Sequence, residues 1–180
     1  MRVLGVSVAL LFSVVTAAAQ GTGAKPAAQT PAASPPVGSL LQVMRGILFH
    51  SSNLIFATQG TDPADPKAPL LASSGTYARV YNGWQVVENA AVALAESADL
   101  LLKPGRLCGN GRPVPLDRAD YRKFVQGLRE AGQVALKAAQ SKNMDTMLEA
   151  AGTVSEACEN CHNVYRDNSD PPDPKRRCIP

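Results

Sequence analysis

The sequence predicts an all-α protein that folds as an antiparallel up-down-up-down four-helix bundle. Apolar residues recur at spacings of three and four in four separate segments after residue 38. Alanine is abundant while aromatic residues make up only 5% of the chain, which favours packed helices over a β-sandwich or barrel. No segment after residue 38 alternates apolar and polar residues as a strand does. Because most connections are short, consecutive helices are expected to run in opposite directions.

Capping residues and helix breakers set the bounds of the four predicted helices. Ser39, Asp117 and Asn143 are placed to cap the first, third and fourth helices. Proline and glycine follow the ends of the first, second and fourth. The predicted helices cover, in order, residues 40–59, 74–102, 118–141 and 144–167. The inward stripe predicted for the last helix consists of Met144, Met147, Leu148, Ala151, Val154, Cys158, Cys161, His162 and Tyr165.

The chain before residue 39 has the composition of an export signal followed by a linker. Residues 1–19 combine one positive charge with an apolar run and a small-residue cleavage site near Ala19, as in a secretory signal peptide. The apolar run is shorter than the roughly 20 residues that span a bilayer, so we expect no membrane span. Residues 20–38 are rich in proline and alanine, which predicts a disordered linker. We therefore expect a periplasmic protein with a helical domain over residues 39–168 and a tail over residues 169–180.

The fourth predicted helix carries a Cys-x-x-Cys-His motif at Cys158, Cys161 and His162. This motif is the attachment signal for c-type haem. Residues three apart lie on one side of a helix, so both thiols can bond to the two vinyl groups on one porphyrin edge. The adjacent imidazole can then bind the iron. The motif therefore predicts one covalent haem c, with Cys158 and Cys161 as thioethers and His162 as proximal ligand.

Three other uses of the two cysteines fit the sequence less well. A thioredoxin-type redox pair belongs at a helix N-terminus after a strand, whereas this pair lies deep in the last helix. A zinc site would need Cys108 or Cys178 as further ligands, and the histidine directly after the pair favours haem instead. A disulfide between Cys158 and Cys161 would be strained within one helical turn.

The segment from Cys158 to Arg166, with its C-x-x-C-H-x-x-aromatic-Arg pattern, resembles the class II c-type cytochromes. These are cytochrome c′ and its low-spin, methionine-ligated relatives, and the resemblance covers residues 39–167. It implies a four-helix bundle with haem near the end where the last helix ends. It also implies that Arg166 lies near a haem propionate or the proximal face. Members of this class form homodimers in some cases, so a homodimer is compatible with the resemblance.

Met44 is the residue predicted to bind the iron from the other side. In an antiparallel bundle Met44 and His162 both lie about 8 Å from the same end. In the low-spin relatives a methionine of the first helix is the sixth ligand, and Met44 resembles it. The alternatives are that Met44 fills the core, or that Ile47, Leu48 and Phe49 form an apolar distal wall. His50 lies about 9 Å further along the helix and is rotated by about 240°, which favours a solvent-facing position.

Cys108 and Cys178 are predicted to form a disulfide. In the predicted topology the loop after the second helix and the tail after the fourth emerge at the same end, and an exported protein keeps its disulfides. The tail also carries Lys175, Arg176 and Arg177, interpreted as a solvated basic run that could dock an acidic redox partner. The net charge of +3 is too small and too scattered to indicate nucleic acid as a partner.

Two functions from different classes follow. The first is an exported electron carrier that exchanges electrons with a redox partner protein, its iron held by His162 and Met44. The second is a cytochrome c′-like protein with an empty sixth position that binds NO or CO. We do not expect an enzyme, because no catalytic residues apart from the haem set stand out in the sequence.

Overall fold

The computed structural model describes residues 34–65, 81 and 83–179. Over these residues the protein is all-helical, with four long helices and, apart from one isolated bridge between Leu107 and Pro113, no β-structure. None of the helices in these ranges has the length and apolar character needed to cross a bilayer. The predicted signal peptide, most of the predicted linker and residues 74–80 of the predicted second helix lie outside the described residues.

Helix α1 is continuous but changes its hydrogen-bond pattern along its length. It begins with a capping box, in which Ser39 Oγ accepts from the backbone N–H of Gln42 and the Gln42 side chain accepts from the backbone N–H of Ser39. The predicted cap at Ser39 is therefore confirmed. From N- to C-terminus the helix is α-helical, π-helical, α-helical and 3₁₀, over Leu40–Val43, Met44–Leu48, Phe49–Phe56 and Ala57–Gln59.

Helix α2 covers Trp84–Leu101 and begins ten residues later than the predicted start at Ser74. Tyr81, predicted to lie on the inward stripe, is outside the helix and 55% exposed. Gly83 has a φ of +55°, and a Cβ there would lie 2.7 Å from the carbonyl oxygen of Pro63. The chain therefore turns into α2 at a position that only glycine occupies without strain.

Helix α3 covers Ala119–Ser141 and helix α4 covers Met144–Tyr165. Asn143 caps α4 as predicted, its side chain accepting a hydrogen bond from the backbone N–H three residues later. At α3 the prediction is wrong by one residue, because the N-cap is Arg118 and not Asp117. The inward stripe predicted for α4 is buried or half-buried except at Leu148, which is exposed.

Each helix packs against the next one in the chain, and α4 also packs against α1. The contact between α2 and α3 is close because small residues face each other there. A Cβ added to Gly132 would lie 2.7 Å from the backbone nitrogen of Ala95. Two polar contacts join the same helices, an ion pair between Asp99 and Arg129 and a hydrogen bond of 3.2 Å from Tyr121 Oη to the carbonyl of Leu101.

A buried arginine attaches the segment before α1 to the loop after α2. Arg106 is only 3% exposed and donates from Nε to the carbonyl of Leu100 and from Nη1 to the carbonyls of Val37 and Gly38, at 2.8 to 3.1 Å. These three acceptors satisfy a cation that would otherwise be costly to bury. Arg106 thereby fixes where α1 begins relative to the end of α2. No pattern in the sequence marks Arg106 for this role.

Candidate functional site

A cavity of about 530 Å³ lies at the end of the domain where α2 and α4 end and α3 begins. Nearly the whole length of α1 forms one of its walls. Cavities of roughly 300–1,000 Å³ with apolar walls are typical of ligand and cofactor sites. The apolar and aromatic lining residues are Leu40, Leu41, Met44, Leu48, Phe49, Phe56, Leu94, Leu101, Tyr121, Phe124, Val125, Leu128, Ala157 and Tyr165.

The cavity collects the residues that the sequence singled out. Cys158, Cys161 and His162 line it, and so do Met44 and Arg166. The two cysteines of the disulfide described below also contribute to its wall. Of the three residues considered for a distal wall, Leu48 and Phe49 line the cavity, whereas Ile47 and the alternative ligand His50 do not belong to the described lining.

The motif residues are half-buried and electrically neutral. Cys158 and Cys161 are not bonded to each other. Burial raises the pKa of both thiols, that of Cys161 to about 12, where the neighbouring Cys158 adds to the effect. Burial, with Arg166 nearby, lowers the pKa of His162 to about 4. The site therefore presents two protonated thiols and a neutral imidazole that is able to bind a metal.

This arrangement disfavours the other uses of the two cysteines. A thioredoxin-type pair needs a thiolate, whereas the raised pKa values keep these thiols protonated. A zinc site with Cys108 or Cys178 loses those ligands, because the two are joined to each other.

The C-terminal segment closes one side of the cavity. Cys108 and Cys178 lie at disulfide distance and are bonded, with Cα atoms 6.5 Å apart, as the sequence predicts. Cys178 also donates its backbone N–H to the carbonyl of Tyr165 at 2.9 Å. From the loop after α2, the Asn110 side chain donates to three carbonyls of the tail, those of Pro174, Lys175 and Arg177.

Three arginines line the cavity, and no aspartate or glutamate is among the described lining residues. Arg45 and Arg166 are exposed, and Arg166 forms an ion pair with Asp167. Arg177 is half-buried, and its Nε is buried without a hydrogen-bond partner among the described residues. The interpretation of residues 175–177 as a solvated run is therefore wrong for Arg177, which belongs to the cavity wall.

A polar network fixes the end of α4 against the start of α3. Tyr165 is 5% exposed, and its ring meets the edges of Tyr121 and Phe124 at centroid distances of 5.3 and 6.3 Å. Its hydroxyl donates to Asp120 at 2.8 Å and accepts from Arg118 Nε at 2.9 Å. Arg118 also donates directly to the Asp120 carboxylate, at 3.1 Å from Nε and 2.8 Å from Nη2. These two bonds above all, with that from Tyr165, lower the pKa of Asp120 to about 2. The helical turn that carries the motif is thus held in place from α3.

The π-helical segment Met44–Leu48 shapes the α1 wall. Residues of α1 line the cavity at intervals of four, as two rows: Leu40, Met44, Leu48, Ser52 and Phe56, and Leu41, Arg45, Phe49 and Asn53. In a regular α-helix four residues turn about 40° beyond a full circle, so such rows drift off one face. A π segment has longer turns, closed here by the bond from the Phe49 N–H to the Met44 carbonyl, and it offsets this drift. Sequence periodicity assumes a regular helix and misses this correction.

No family model, curated protein or solved structure matches this chain. Its function is therefore inferred from the residues around the cavity. These residues combine an apolar enclosure, a Cys-x-x-Cys-His motif, a methionine and three arginines.

Proposed function

We propose that this protein is an exported monohaem c-type cytochrome of the class II kind, which acts as an electron carrier. The observation that carries the proposal is that the Cys-x-x-Cys-His motif opens onto a largely apolar cavity of about 530 Å³ that also contains Met44. Haem attachment needs both features, the motif for the covalent bonds and the enclosure for the macrocycle. Residues 1–19 support the export part of the proposal.

The donor groups fit a haem. Cys158 and Cys161 would form the thioethers and His162 would bind the iron, its neutral imidazole being the form that coordinates. The arginines of the lining, Arg166 among them, match the two carboxylates that a haem carries. When bound, the haem would supply one iron that gains and loses an electron. The chain's own contribution is to exclude water from the iron and to hold its ligands in fixed positions.

The proposed topology is the antiparallel up-down-up-down bundle, with the haem at the end where α4 ends. Contacts between α2 and α3 support opposite directions, since residues later in α2 meet residues earlier in α3: Ala95 with Gly132, Asp99 with Arg129, and Leu101 with Tyr121. The position of the cavity beside the last turns of α4 supports the haem placement.

Met44 is the proposed sixth ligand. It is a half-buried residue of α1, it lines the cavity, and it begins the π-helical segment. Thioether and imidazole ligation favours ferrous iron and raises the reduction potential. Two protein ligands that stay bound in both oxidation states would suit electron exchange with a redox partner. We propose transfer and not catalysis, because every motif residue has a role in holding the cofactor.

A second candidate is a five-coordinate, cytochrome c′-like protein that binds NO or CO. The observation that favours it is the bulky apolar surface that α1 contributes to the cavity, formed by Leu41, Leu48, Phe49 and Phe56. If these side chains and not Met44 faced the iron, only small diatomic molecules would enter.

Absorption spectra of the holoprotein separate the two candidates. We expect a six-coordinate, low-spin ferrous spectrum that does not respond to CO. Met44→Ala should convert it to a high-spin spectrum that shifts on adding CO. The matched control is Met147→Ala, because Met147 is fully buried in α4 away from the cavity and its loss should leave the spectrum unchanged. A wild-type spectrum that is already high-spin and CO-sensitive would establish the second candidate instead.

A further inference from the structure

The C-terminal segment after α4 ends in a short strap, residues 173–179, that is attached to the domain at several points. Asp173 caps the 3₁₀ turn Pro174–Arg176 by accepting from the backbone N–H of Lys175. The disulfide from Cys178 to Cys108 anchors the other side. From the loop after α2, Asn110 Nδ2 donates to the carbonyls of Pro174 and Lys175 at 3.3 and 3.1 Å. Residues 174–177 are therefore held between this side chain and the disulfide, and their backbone has little freedom to move away from the cavity.

Arg177 and Cys178 are the strap residues that line the cavity, and of the two only Arg177 carries a charge. Its backbone carbonyl accepts from Asn110 Nδ2 at 3.0 Å, which fixes the main chain at this residue. Its side-chain Nε is buried with no partner among the described residues, although buried donors are nearly always paired in folded proteins. The neighbouring Arg176 is exposed and does not line the cavity. The unpaired donor is therefore specific to Arg177.

The charges around the cavity indicate what would pair with Arg177. The other two lining arginines are Arg45 and Arg166, and the described lining residues contain no carboxylate. Arg166 already has Asp167 as its partner. A guanidinium pairs best with a planar carboxylate, which accepts two parallel hydrogen bonds. A ligand with a carboxylate at this edge of the cavity would satisfy Arg177 and offset the excess of positive charge.

We propose that the disulfide-anchored strap is an anion-binding arm in which Arg177 binds a carboxylate of the cofactor in the cavity. On the proposed function, on which this inference rests, that carboxylate is a haem propionate. The disulfide holds the strap, and the strap positions Arg177. The strap thus adds a binding residue from outside the four helices, beyond the segment that resembles the class II cytochromes.

The test compares the reduction potential of the wild-type holoprotein with that of Arg177→Gln, Arg177→Lys and Arg176→Gln, across the neutral pH range. A cation beside the propionate favours the reduced, less positive iron site and lowers the propionate pKa. Arg177→Gln should therefore lower the potential and move its pH-dependent region to higher pH. Arg177→Lys should restore most of both. Arg176→Gln, which removes a charge of the same sign from the exposed neighbouring residue, should change neither.

The double variant Cys108→Ser/Cys178→Ser removes the covalent anchor of the strap and so displaces Arg177 without substituting it. Freeing the strap should lower the potential in the same direction as Arg177→Gln, and combining both changes should give less than the sum of the two shifts. The double variant also tests the proposal if Arg177→Gln does not acquire covalent haem.

The outcomes separate this inference from the function on which it rests. The role of Arg177 would be overturned if holoprotein with covalent haem kept its potential and pH profile in Arg177→Gln. It would also be overturned if Arg176→Gln changed both as much as Arg177→Gln does. Either result would leave the proposal of a cytochrome intact. If the combined variant shifted the reduction potential by the full sum of the shifts in the disulfide variant and in Arg177→Gln, the strap would not act through Arg177. A wild-type protein without covalent haem would overturn both.

Discussion

The two ends of this helical domain are built from similar apolar stripes but are completed in different ways. In the first turns of α4, the side chains of Met147, Ala150, Ala151 and Val154 are at most 1% exposed and fill the space between the helices. In its last turns, Cys158 and Cys161 are half-buried and border a cavity of about 530 Å³. A stripe of apolar residues therefore predicts burial, but it does not tell a filled core from an enclosed site.

Two features account for the difference. At the filled part, small residues such as Ala95 and Gly132 let α2 and α3 approach closely. At the open part, the π-helical segment keeps one face of α1 along the cavity, and the strap closes the side with a covalent bond. Packing stabilises one region, and a disulfide stabilises the other. Substitutions in each region test this contrast.

Removing the disulfide should weaken the cavity end most. The cysteines are 70 residues apart, so in the chain-entropy model the double variant Cys108→Ser/Cys178→Ser should lose about 4 kcal/mol of unfolding free energy. Urea denaturation with oxidised wild-type protein as reference measures this loss. A double variant as stable as the wild type would mean that the hydrogen bonds of the strap suffice without the covalent bond.

A core methionine and an exposed phenylalanine test the filled and open regions against each other. Met147 is fully buried, so Met147→Ala should cost about 2–5 kcal/mol through lost contacts and the void left behind. Phe49 lines the cavity but is 68% exposed, so Phe49→Ala should cost no more than about 0.5 kcal/mol in the chain purified without haem. Denaturation curves giving the larger loss for Phe49→Ala would contradict the contrast.

Two glycines of α3 form a matched pair for close packing. A Cβ at Gly132 would meet the backbone of Ala95 at 2.7 to 3.0 Å, so Gly132→Ala should destabilise the protein by about 1–3 kcal/mol. A Cβ at Gly127 would meet nothing within 4 Å, so Gly127→Ala should stabilise it by about 0.5–1 kcal/mol. Thermal or urea unfolding should show shifts of opposite sign. Shifts of the same sign would show that helix propensity, and not the contact between α2 and α3, governs both sites.

The smallest effect is expected at the network around Tyr165. Hydrogen bonds from Arg118 and Tyr165 lower the pKa of Asp120 from 3.8 to about 2. The ionised carboxylate therefore stabilises the folded state above the ordinary pKa, and this contribution is lost as the pH falls through the folded one. The stability advantage of the wild type over Asp120→Asn should shrink between pH 4 and 2. Asp145→Asn, at an exposed acid in the first turn of α4, is the control. A constant difference across this interval would contradict the role of the network.

The parts of the molecule that could be predicted depend on local signals. Ser39 and Asn143 cap their helices because a short side-chain acceptor satisfies free N–H groups close by in sequence. The four helices are predicted by the recurrence of apolar residues at spacings of three and four. The Cys-x-x-Cys-His motif is recognised from the spacing of its cysteines and histidine. The approach of Cys108 to Cys178 was predictable because the topology expected from the sequence brings the loop and the tail to one end.

The parts that could not be predicted depend on distant partners. Arg106 is buried because carbonyls just before α1 and in the last turn of α2 converge on it, and no sequence pattern marks carbonyl acceptors. Arg177 is set apart from Arg176 by the fixed path of the strap, which depends on Asn110 and the disulfide. The late start of α2 results from the turn at Gly83 against Pro63, a contact between separate segments.

The most direct test of the account is intact-mass and peptide mass spectrometry of the full chain, produced in cells that have the machinery for attaching haem c. We expect one added haem, located on the peptide that contains Cys158 and Cys161 and absent when both are changed to alanine. A protein that folds in those cells yet carries free thiols at both positions would contradict it.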